Sequence, residues 1–484
     1  MKILYISPEV VPLAKTGGLA DVAGALPKAL KNIGHDIRVI MPFYKMTNVP
    51  GPKREVMTIK VNGETVEIFE TKLPDTEVTV YLVAHDRFFG SRDCLYQVKG
   101  VDYPDNLERF ALFCQVILPF CQALPWKPDI LHGNDWQSAL AIAYLKTLFK
   151  ADPFFARTAS VYSIHNMGYL GLFPKDKLPL TALGWDQFKP ERLEFWGKIS
   201  LAKAGLVYAD VINTVSETYA KEIQTAEYAC GLEGLMQGRQ SDIYGIINGL
   251  DYDIWNPATD KNLPRRYSPA TLTLKEENKL ELQKQNNLPQ NRDIPVIGMI
   301  TRLADQKGFD ILAGALPEIM KLNCQFVVLG TGDQKYHDLL QKLQQKYPEH
   351  IGVNLKFDAI LAELIYSGAD MFLMPSLYEP CGLGQLISFK YGNIPIVRRT
   401  GGLADTVHDY NPETKSGEGF VFSEYSSQAL LDSVKRALEL YKNKAAWNAL
   451  QQKVMKLDYS WDASAKKYVA LYVKALAKIG IAAL

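Results

Sequence analysis

Arg302 and Lys307 stand five residues apart, directly after the apolar run Val296–Thr301. A guanidinium fork and an ammonium point charge in this arrangement suit a diphosphate, both as a ligand and as a leaving group that gathers charge. Taken alone, two cations at a helix start are more often a solvated surface. Glu379 lies in the stretch Pro375-Ser376-Leu377-Tyr378-Glu379-Pro380-Cys381-Gly382-Leu383-Gly384-Gln385, where an apolar run gives way to a helical pattern. Its carboxylate can accept hydrogen bonds from sugar hydroxyls, and the glycines let backbone amides approach a ligand. The competing role is a helix N-terminal acid held by the helix dipole. His165-Asn166 follows the run Ala159–Ile164, and Asp135-Trp136 follows Asp129–Leu131. Each pair puts polar groups where a strand ends, although a single residue so placed is as often structural as functional.

A near-repeat frames these residues. Lys15-Thr16-Gly17-Gly18-Leu19-Ala20-Asp21 returns as Arg399-Thr400-Gly401-Gly402-Leu403-Ala404-Asp405. Both copies follow an apolar run and lead into a helical pattern. A Gly-Gly loop that opens a helix is expected to leave backbone amides unpaired and facing outward, a natural seat for an anion. The alternative is a tight turn without a ligand.

Other patterns carry less. Gly330-Thr331-Gly332 begins a dinucleotide fingerprint, but Lys335 stands where the third glycine belongs. Asp251-Tyr252-Asp253 has the spacing of a carboxylate pair, yet no further metal ligands accompany it. No P-loop and no GxSxG element occurs. The six cysteines are scattered without a CxxC pair, which suits reduced thiols in a cytoplasmic protein. A net charge of +1 argues against nucleic acid as a partner, and no apolar run is long enough for a membrane span.

The elements that must position these residues read as alternating strands and helices. Apolar runs fall at Lys2–Ser7, Asp36–Met41, Val78–Ala84, Asp129–Leu131, Ala159–Ile164 and Val211–Val215. A second set falls at Pro295–Thr301, Gln325–Leu329, Val353–Phe357, Met371–Met374 and Pro395–Val397. Continuous rather than alternating apolarity predicts parallel strands covered on both faces. A chain of 484 residues needs more than one core. The proline-rich polar stretch Asn256–Gln290 is the natural linker, giving an α/β protein with two Rossmann-like, doubly wound domains. Tyr468, Leu471, Tyr472 and Leu476 give the C-terminal stretch a helical period, which leaves open which half it joins.

Together these motifs resemble the bacterial glycogen synthases and plant starch synthases, retaining glycosyltransferases of the GT-B fold. Further residues carrying the resemblance are Ser7-Pro8-Glu9, Tyr103-Pro104-Asp105-Asn106, Asn134, Asn248-Gly249-Leu250-Asp251 and Tyr459-Ser460-Trp461. The resemblance implies two domains facing a deep cleft, 1–256 on the acceptor side and 257–458 on the nucleotide-sugar side. A final helix, 459–484, would return to the first domain. It implies transfer of glucose from ADP-glucose to the non-reducing end of an α-1,4-glucan, with ADP as product and with no metal or other cofactor. Lys15, Arg302 and Lys307 would hold the diphosphate, with Gly18, Asp21, Thr400 and Gly401 beside it. Glu379, Cys381, Gly382 and Leu383 would hold the glucosyl group. Asp135, His165 and Asn248 would line the reacting centre. Phe357 stands where relatives stack a Tyr on adenine and keeps the π-face. Tyr96, Asp102, Asn106, Trp136 and Asn166 would contact the acceptor glucan. Domain closure would exclude water. The alternatives are a synthase tied to starch-like granules, in the cytoplasm or a plastid stroma, a GT-B enzyme with a small sugar acceptor, or a glucan-binding scaffold. Gln137 and Gly384 depart from the common family residues.

Overall fold

The computed structural model describes residues 1–98 and 100–482. The chain forms two compact units, one from Met1–Gly249 with Trp461–Leu484 and one from Leu250–Ser460. The division therefore falls at Gly249/Leu250 rather than after Asn256. The reason is local: Leu250 is buried with Leu263, Tyr267, Phe372, Ile387 and Tyr391 in a core cluster of the second unit. The stretch expected as a linker is part of that unit and contains the helix Lys275–Gln285, whose Leu282 is fully buried. The last helix spans Trp461–Lys478, shorter than expected at both ends, and residues 483 and 484 of the expected helix lie outside the described residues.

The first unit is built on a nine-stranded sheet. Across the sheet the strands run Ile243–Gly245, Val211–Thr214, Ala159–Ile164, Ile130–Asn134, Lys2–Ile6, Asp36–Pro42, Thr79–Ala84, Glu64–Lys72 and Arg54–Val61. The first seven pair in parallel and the last two add antiparallel. Every residue of Ala159–Ile164 and of Ile130–Asn134 is buried, as expected for strands covered on both faces. From Lys2–Ile6 the chain turns one way to Asp36–Pro42 and later the other way to Ile130–Asn134. That reversal is a topological switch point, and the crevice outside the carboxyl ends of its strands is where open α/β sheets bind ligands. The loop carrying Lys15 and the turn carrying Asp135 both leave this point.

The second unit has a six-stranded sheet ordered Ile351–Asn354, Gln325–Leu329, Val296–Ile300, Met371–Met374, Ile394–Arg398 and Phe420–Phe422, all parallel. Its switch point lies between Val296–Ile300 and Met371–Met374. The loops leaving those two strands hold Arg302 with Lys307, and Glu379. Helices cover the sheet, and Asp358 caps one of them by accepting from the Leu361 amide at 2.9 Å to start Ala359–Gly368. Among the described residues no helix is long and apolar enough to cross a membrane.

Candidate active site

In the first unit, the loop after Lys2–Ile6 is organised by a carboxylate. Glu9 is 4% exposed and accepts hydrogen bonds from the Thr16 amide (2.5 Å), the Thr16 hydroxyl (3.0 Å), the Gly17 amide (3.1 Å) and the Tyr96 hydroxyl (3.3 Å). Burial raises the Glu9 pKa, and the amide donors oppose it. This corrects the expectation of free loop amides: Thr16 and Gly17 spend theirs on Glu9. The glycines do face empty space, since a Cβ on Gly17 or Gly18 would meet nothing within 4 Å. Lys15, half-exposed, pairs with Asp21 at 2.7 Å across the first turn of the helix Gly18–Asn32. Asp21 therefore holds Lys15.

The other half of this switch point gathers Asp135, His165 and Asn166. Asp135 sits at a φ of 53° where the strand turns into the helix Asp135–Lys146. A left-handed aspartate at a strand-to-helix turn is strained, and such strain collects at functional sites. Its carboxylate accepts from the His165 amide at 2.8 Å. Burial pushes the carboxyl up to about 7; the amide donors from His165 and Asn166 oppose the rise and the Glu9 charge adds to it. His165 Nε2 lies 3.0 Å from Asn134 Oδ1, which also accepts from the Tyr5 hydroxyl, while Asn134 Nδ2 donates to the Ile6 carbonyl. With Asn134 so oriented, His165 Nε2 carries the proton and Nδ1 is the acceptor. Burial holds the imidazole neutral, with its pKa lowered to about 3.

The acceptor residues fare differently. Tyr96 joins the Glu9 cluster. Asn166 caps a turn by accepting from the Gly168 amide at 2.9 Å. Asn106 is buried, accepting from Arg109 at 2.7 Å and donating to the Tyr96 carbonyl at 3.0 Å, so it supports the site's frame rather than offering free polar atoms. Trp136 is packed edge-on to Phe110 at 5.1 Å and against Phe173, which leaves no open indole face. Asp102 lies apart, exposed on the ribbon Gln97–Val98/Val101–Asp102. Asn248 is 5% exposed and its Oδ1 has no hydrogen-bond partner, an acceptor left for a ligand's donor.

In the second unit, Arg302, Lys307, Ser376, Glu379, Gly382 and Leu383 line one cavity of about 240 Å³ at the switch point. Lys307 Nζ and Glu379 Oε2 are 2.6 Å apart and mostly buried, and the Ser376 hydroxyl donates to the same oxygen at 2.9 Å. Lys307 and Glu379, expected to hold different parts of a ligand, hold each other here. Arg302 is exposed and makes no hydrogen bond or ion pair among the described residues. Cys381 is buried behind the cavity. Thr400 and Gly401 lie behind it too. A Cβ on Gly401 would stand 2.1 Å from the Glu379 carbonyl, one on Gly402 2.0 Å from the Cys381 carbonyl, and Gly401 has a φ of 42°. The Gly402 amide donates to the Glu379 and Pro380 carbonyls at 3.1 Å each. The second loop is therefore a clamp on the Glu379 backbone, and the helix after it, Gly401–Thr406, is a short one. Phe357 falls beyond its strand, which ends at Asn354, and is 88% exposed outside the cavity wall.

Glu9, Asn134 and Ser376 were not singled out as site residues by the sequence. Their signal was position: each lies in a loop at, or at the carboxyl end of, a switch-point strand.

Comparison with known proteins decides the family. Residues 2–238 match the starch synthase catalytic domain model and residues 279–453 the model of glycosyl transferases group 1. The glycogen synthase of Thermotoga petrophila is 46% identical over 99% of this chain and 100% of its own length. That of Thermosipho melanesiensis is 47% identical at the same coverage. This chain belongs to the glycogen and starch synthase family. Its architecture agrees: the catalytic domain of starch synthase IV from Arabidopsis thaliana, solved with ADP and acarbose bound, superposes with a TM-score of 0.90 at 32% identity, covering 98% of this chain and 99% of that one. Sucrose-phosphate synthase from Thermosynechococcus elongatus shares the fold alone, with a TM-score of 0.59 at 17% identity over 98% of this chain and 99% of that one. The synthase is thus a glucosyltransferase of the GT-B fold.

Proposed function

We propose that this synthase moves glucose from ADP-glucose to the non-reducing end of an α-1,4-glucan, with retention at the anomeric carbon. The observation that carries the reading is the cavity where an unpaired guanidinium, Arg302, stands beside the Lys307–Glu379 pair. A nucleotide-sugar brings a partner for each. The diphosphate takes Arg302 and Lys307, and the glucosyl hydroxyls donate to Glu379 as Lys307 leaves it. Neither buried charge is left unpaired in the exchange, which matters because an orphaned one costs several kcal/mol. Positive charge fixed at the diphosphate stabilises it as the bond to the sugar breaks. The exposed ring of Phe357 offers a face to adenine. Lys15, released from Asp21, adds a further cation for an anionic ligand. Asp135, with its carboxyl near 7, suits exchange of a proton with a hydroxyl at neutral pH. The reading needs no cofactor beyond donor and acceptor, no nucleic acid and no membrane, and it places the enzyme in the cytoplasm. The names of the glycogen synthase relatives support the glucan, and the ADP in the starch synthase IV structure supports the nucleotide.

The test is incubation of labelled ADP-glucose or UDP-glucose with glycogen or a small sugar. Label should enter glycogen, and faster from ADP-glucose. Label confined to the small sugar would overturn the acceptor, and a preference for UDP-glucose would overturn the donor.

A further inference from the structure

Successive carbonyls of the loop that carries Glu379 are held from behind. Those of Glu379 and Pro380 accept from the Gly402 amide. Those of Cys381 and Gly382 accept from a side chain: Gln385 Nε2 lies 3.0 Å from the first and 2.9 Å from the second. Gln385 is fully buried at the start of the helix Gly384–Lys390. Its Nε2 also lies 3.3 Å from the Thr406 hydroxyl oxygen, and that hydroxyl donates to the Gly402 carbonyl at 2.6 Å. One carboxamide thus joins the loop to its clamp.

The other end of the carboxamide is left over. Gln385 Oε1 is buried without a hydrogen-bond partner. Turning the amide over would set Oε1 against two carbonyl oxygens, so its orientation is fixed. Folded proteins seldom keep a buried acceptor unsatisfied, and here the cost accompanies the hold on the two carbonyls.

A trans peptide points its C=O and its N–H in opposite directions. With both carbonyls turned in toward Gln385, the Gly382 and Leu383 amides are turned out. Both residues line the cavity that holds Arg302, Lys307 and Glu379. Neither amide makes a hydrogen bond among the described residues, and both precede the helix. Gly382 has a φ of 73° and Leu383 one of −106°. A left-handed residue followed by a right-handed one brings successive amides to one concave face, which suits an anionic oxygen. The fit behind the loop is tight: a Cβ on Gly382 would stand 2.4 Å from Gln385 Oε1.

We infer that Gln385 is a positioning residue for glucosyl transfer: its carboxamide draws two carbonyls inward and so aims the Gly382 and Leu383 amides at a phosphate oxygen of the nucleotide-sugar. The phosphate rests on the proposed function, whereas the hold on the loop does not.

The test uses the full-length enzyme with isotope labels on cysteine carbonyl carbons and glycine amide nitrogens. The sequence has Cys-Gly steps at Cys381-Gly382 and Cys230-Gly231, so NMR selects those two amides, and Gly231 in the first unit is the control. Saturating ADP should move the Gly382 amide proton downfield and leave Gly231 in place. Gln385→Met keeps the volume and removes the donors. Gln385→Glu keeps the shape and turns the donor into an acceptor. In both variants ADP should no longer move Gly382. Their kcat should fall roughly a hundredfold, the effect of losing a donor to charge that develops in the transition state. KM for glycogen should stay as in wild type. A role in packing alone would lower the melting temperature and spare the ADP-dependent shift, which would overturn the inference. Wild-type kcat in Gln385→Met would overturn it too. So would a Gly382 amide unmoved by ADP that the wild type binds, a measurement that decides even if neither variant folds. A Gly382 shift with UDP and none with ADP would sink the proposed nucleotide and still support Gln385, since both ligands carry the diphosphate.

Discussion

The chemistry available to a side chain here is set by the atom behind it. Burial keeps the His165 imidazole neutral, and Asn134 decides which of its nitrogens carries the proton. The asparagine's fixed amide puts the proton on Nε2 and leaves Nδ1 as a hydrogen-bond acceptor. His165 is then a neutral group that receives a hydroxyl proton donor, not a cation. Nitrogen-resolved NMR of histidine-labelled enzyme should show the His165 ring neutral and Nε2-protonated, without titration down to pH 5. Asn134→Leu should leave that ring neutral but allow tautomer exchange, and lower kcat about tenfold or more, since a misplaced polar contact costs that much at a reacting centre. A wild-type kcat with a changed tautomer would separate the imidazole's orientation from the reaction. Lys307 and Glu379 follow the same logic, each standing in for the ligand group that would replace it in the proposed reaction.

At the scale of elements, two loops of nearly identical sequence do opposite work. The first has glycines beside empty space, and the second has glycines pressed onto the Glu379–Cys381 backbone. Gly401→Ala should displace that backbone and lower both melting temperature and activity, by roughly 2 kcal/mol or more in stability. Gly17→Ala should melt within about 0.5 kcal/mol of wild type, because its φ is extended and its Cβ has room. If the space beside Gly17 receives a ligand, the same variant raises KM for the donor; unchanged kinetics would make that space solvent only. The repeat itself was legible in sequence, but its meaning was not, because a Gly-Gly pair signals close approach without saying of what. The parallel strands were legible because strands buried on both faces are continuously apolar. The hairpin Arg54–Val61/Glu64–Lys72 was missed for the opposite reason: it is largely solvated and alternates. Asn62-Gly63 at its tip, with φ of 50° and 81°, was the signal that would have found it. The pairing of Lys307 with Glu379, 72 residues apart, was invisible because no local pattern encodes it.

At the scale of the molecule, the final helix is stitched to the first unit by polar bonds beneath the sheet's surface. His132 is fully buried, with Nδ1 2.9 Å from the Tyr472 hydroxyl and Nε2 2.7 Å from the Ser163 hydroxyl. Asn213 joins Ser163 at 3.0 Å to Tyr468 at 3.2 Å. Burial, with a smaller contribution from His165, lowers the His132 pKa to about 3. A depressed histidine adds stability that is complete above the unfolded value near 6.5 and is lost as pH falls from there toward 3. Between pH 7 and pH 5 the first unit should lose roughly 2 kcal/mol through this residue. Urea unfolding of His132→Gln should show a shallower acid slope by about that amount. A slope equal to wild type would mean that His132 reaches solvent in the folded state.

The same stitching makes the second unit an insertion. Leu250 pairs with Ser460 and its amide donates to Tyr459 at 2.7 Å, so the strand going out and the strand coming back lie side by side. During synthesis the nascent chain must therefore complete the inserted unit before it can supply the helix that finishes the first. Until Trp461–Lys478 has been made, His132 and Asn213 lack their tyrosine partners, and the incomplete half is the one exposed to chaperones and proteases. A stalled or truncated product would carry a finished second unit on an unfinished first one. Quality control could read that asymmetry from the missing last helix alone.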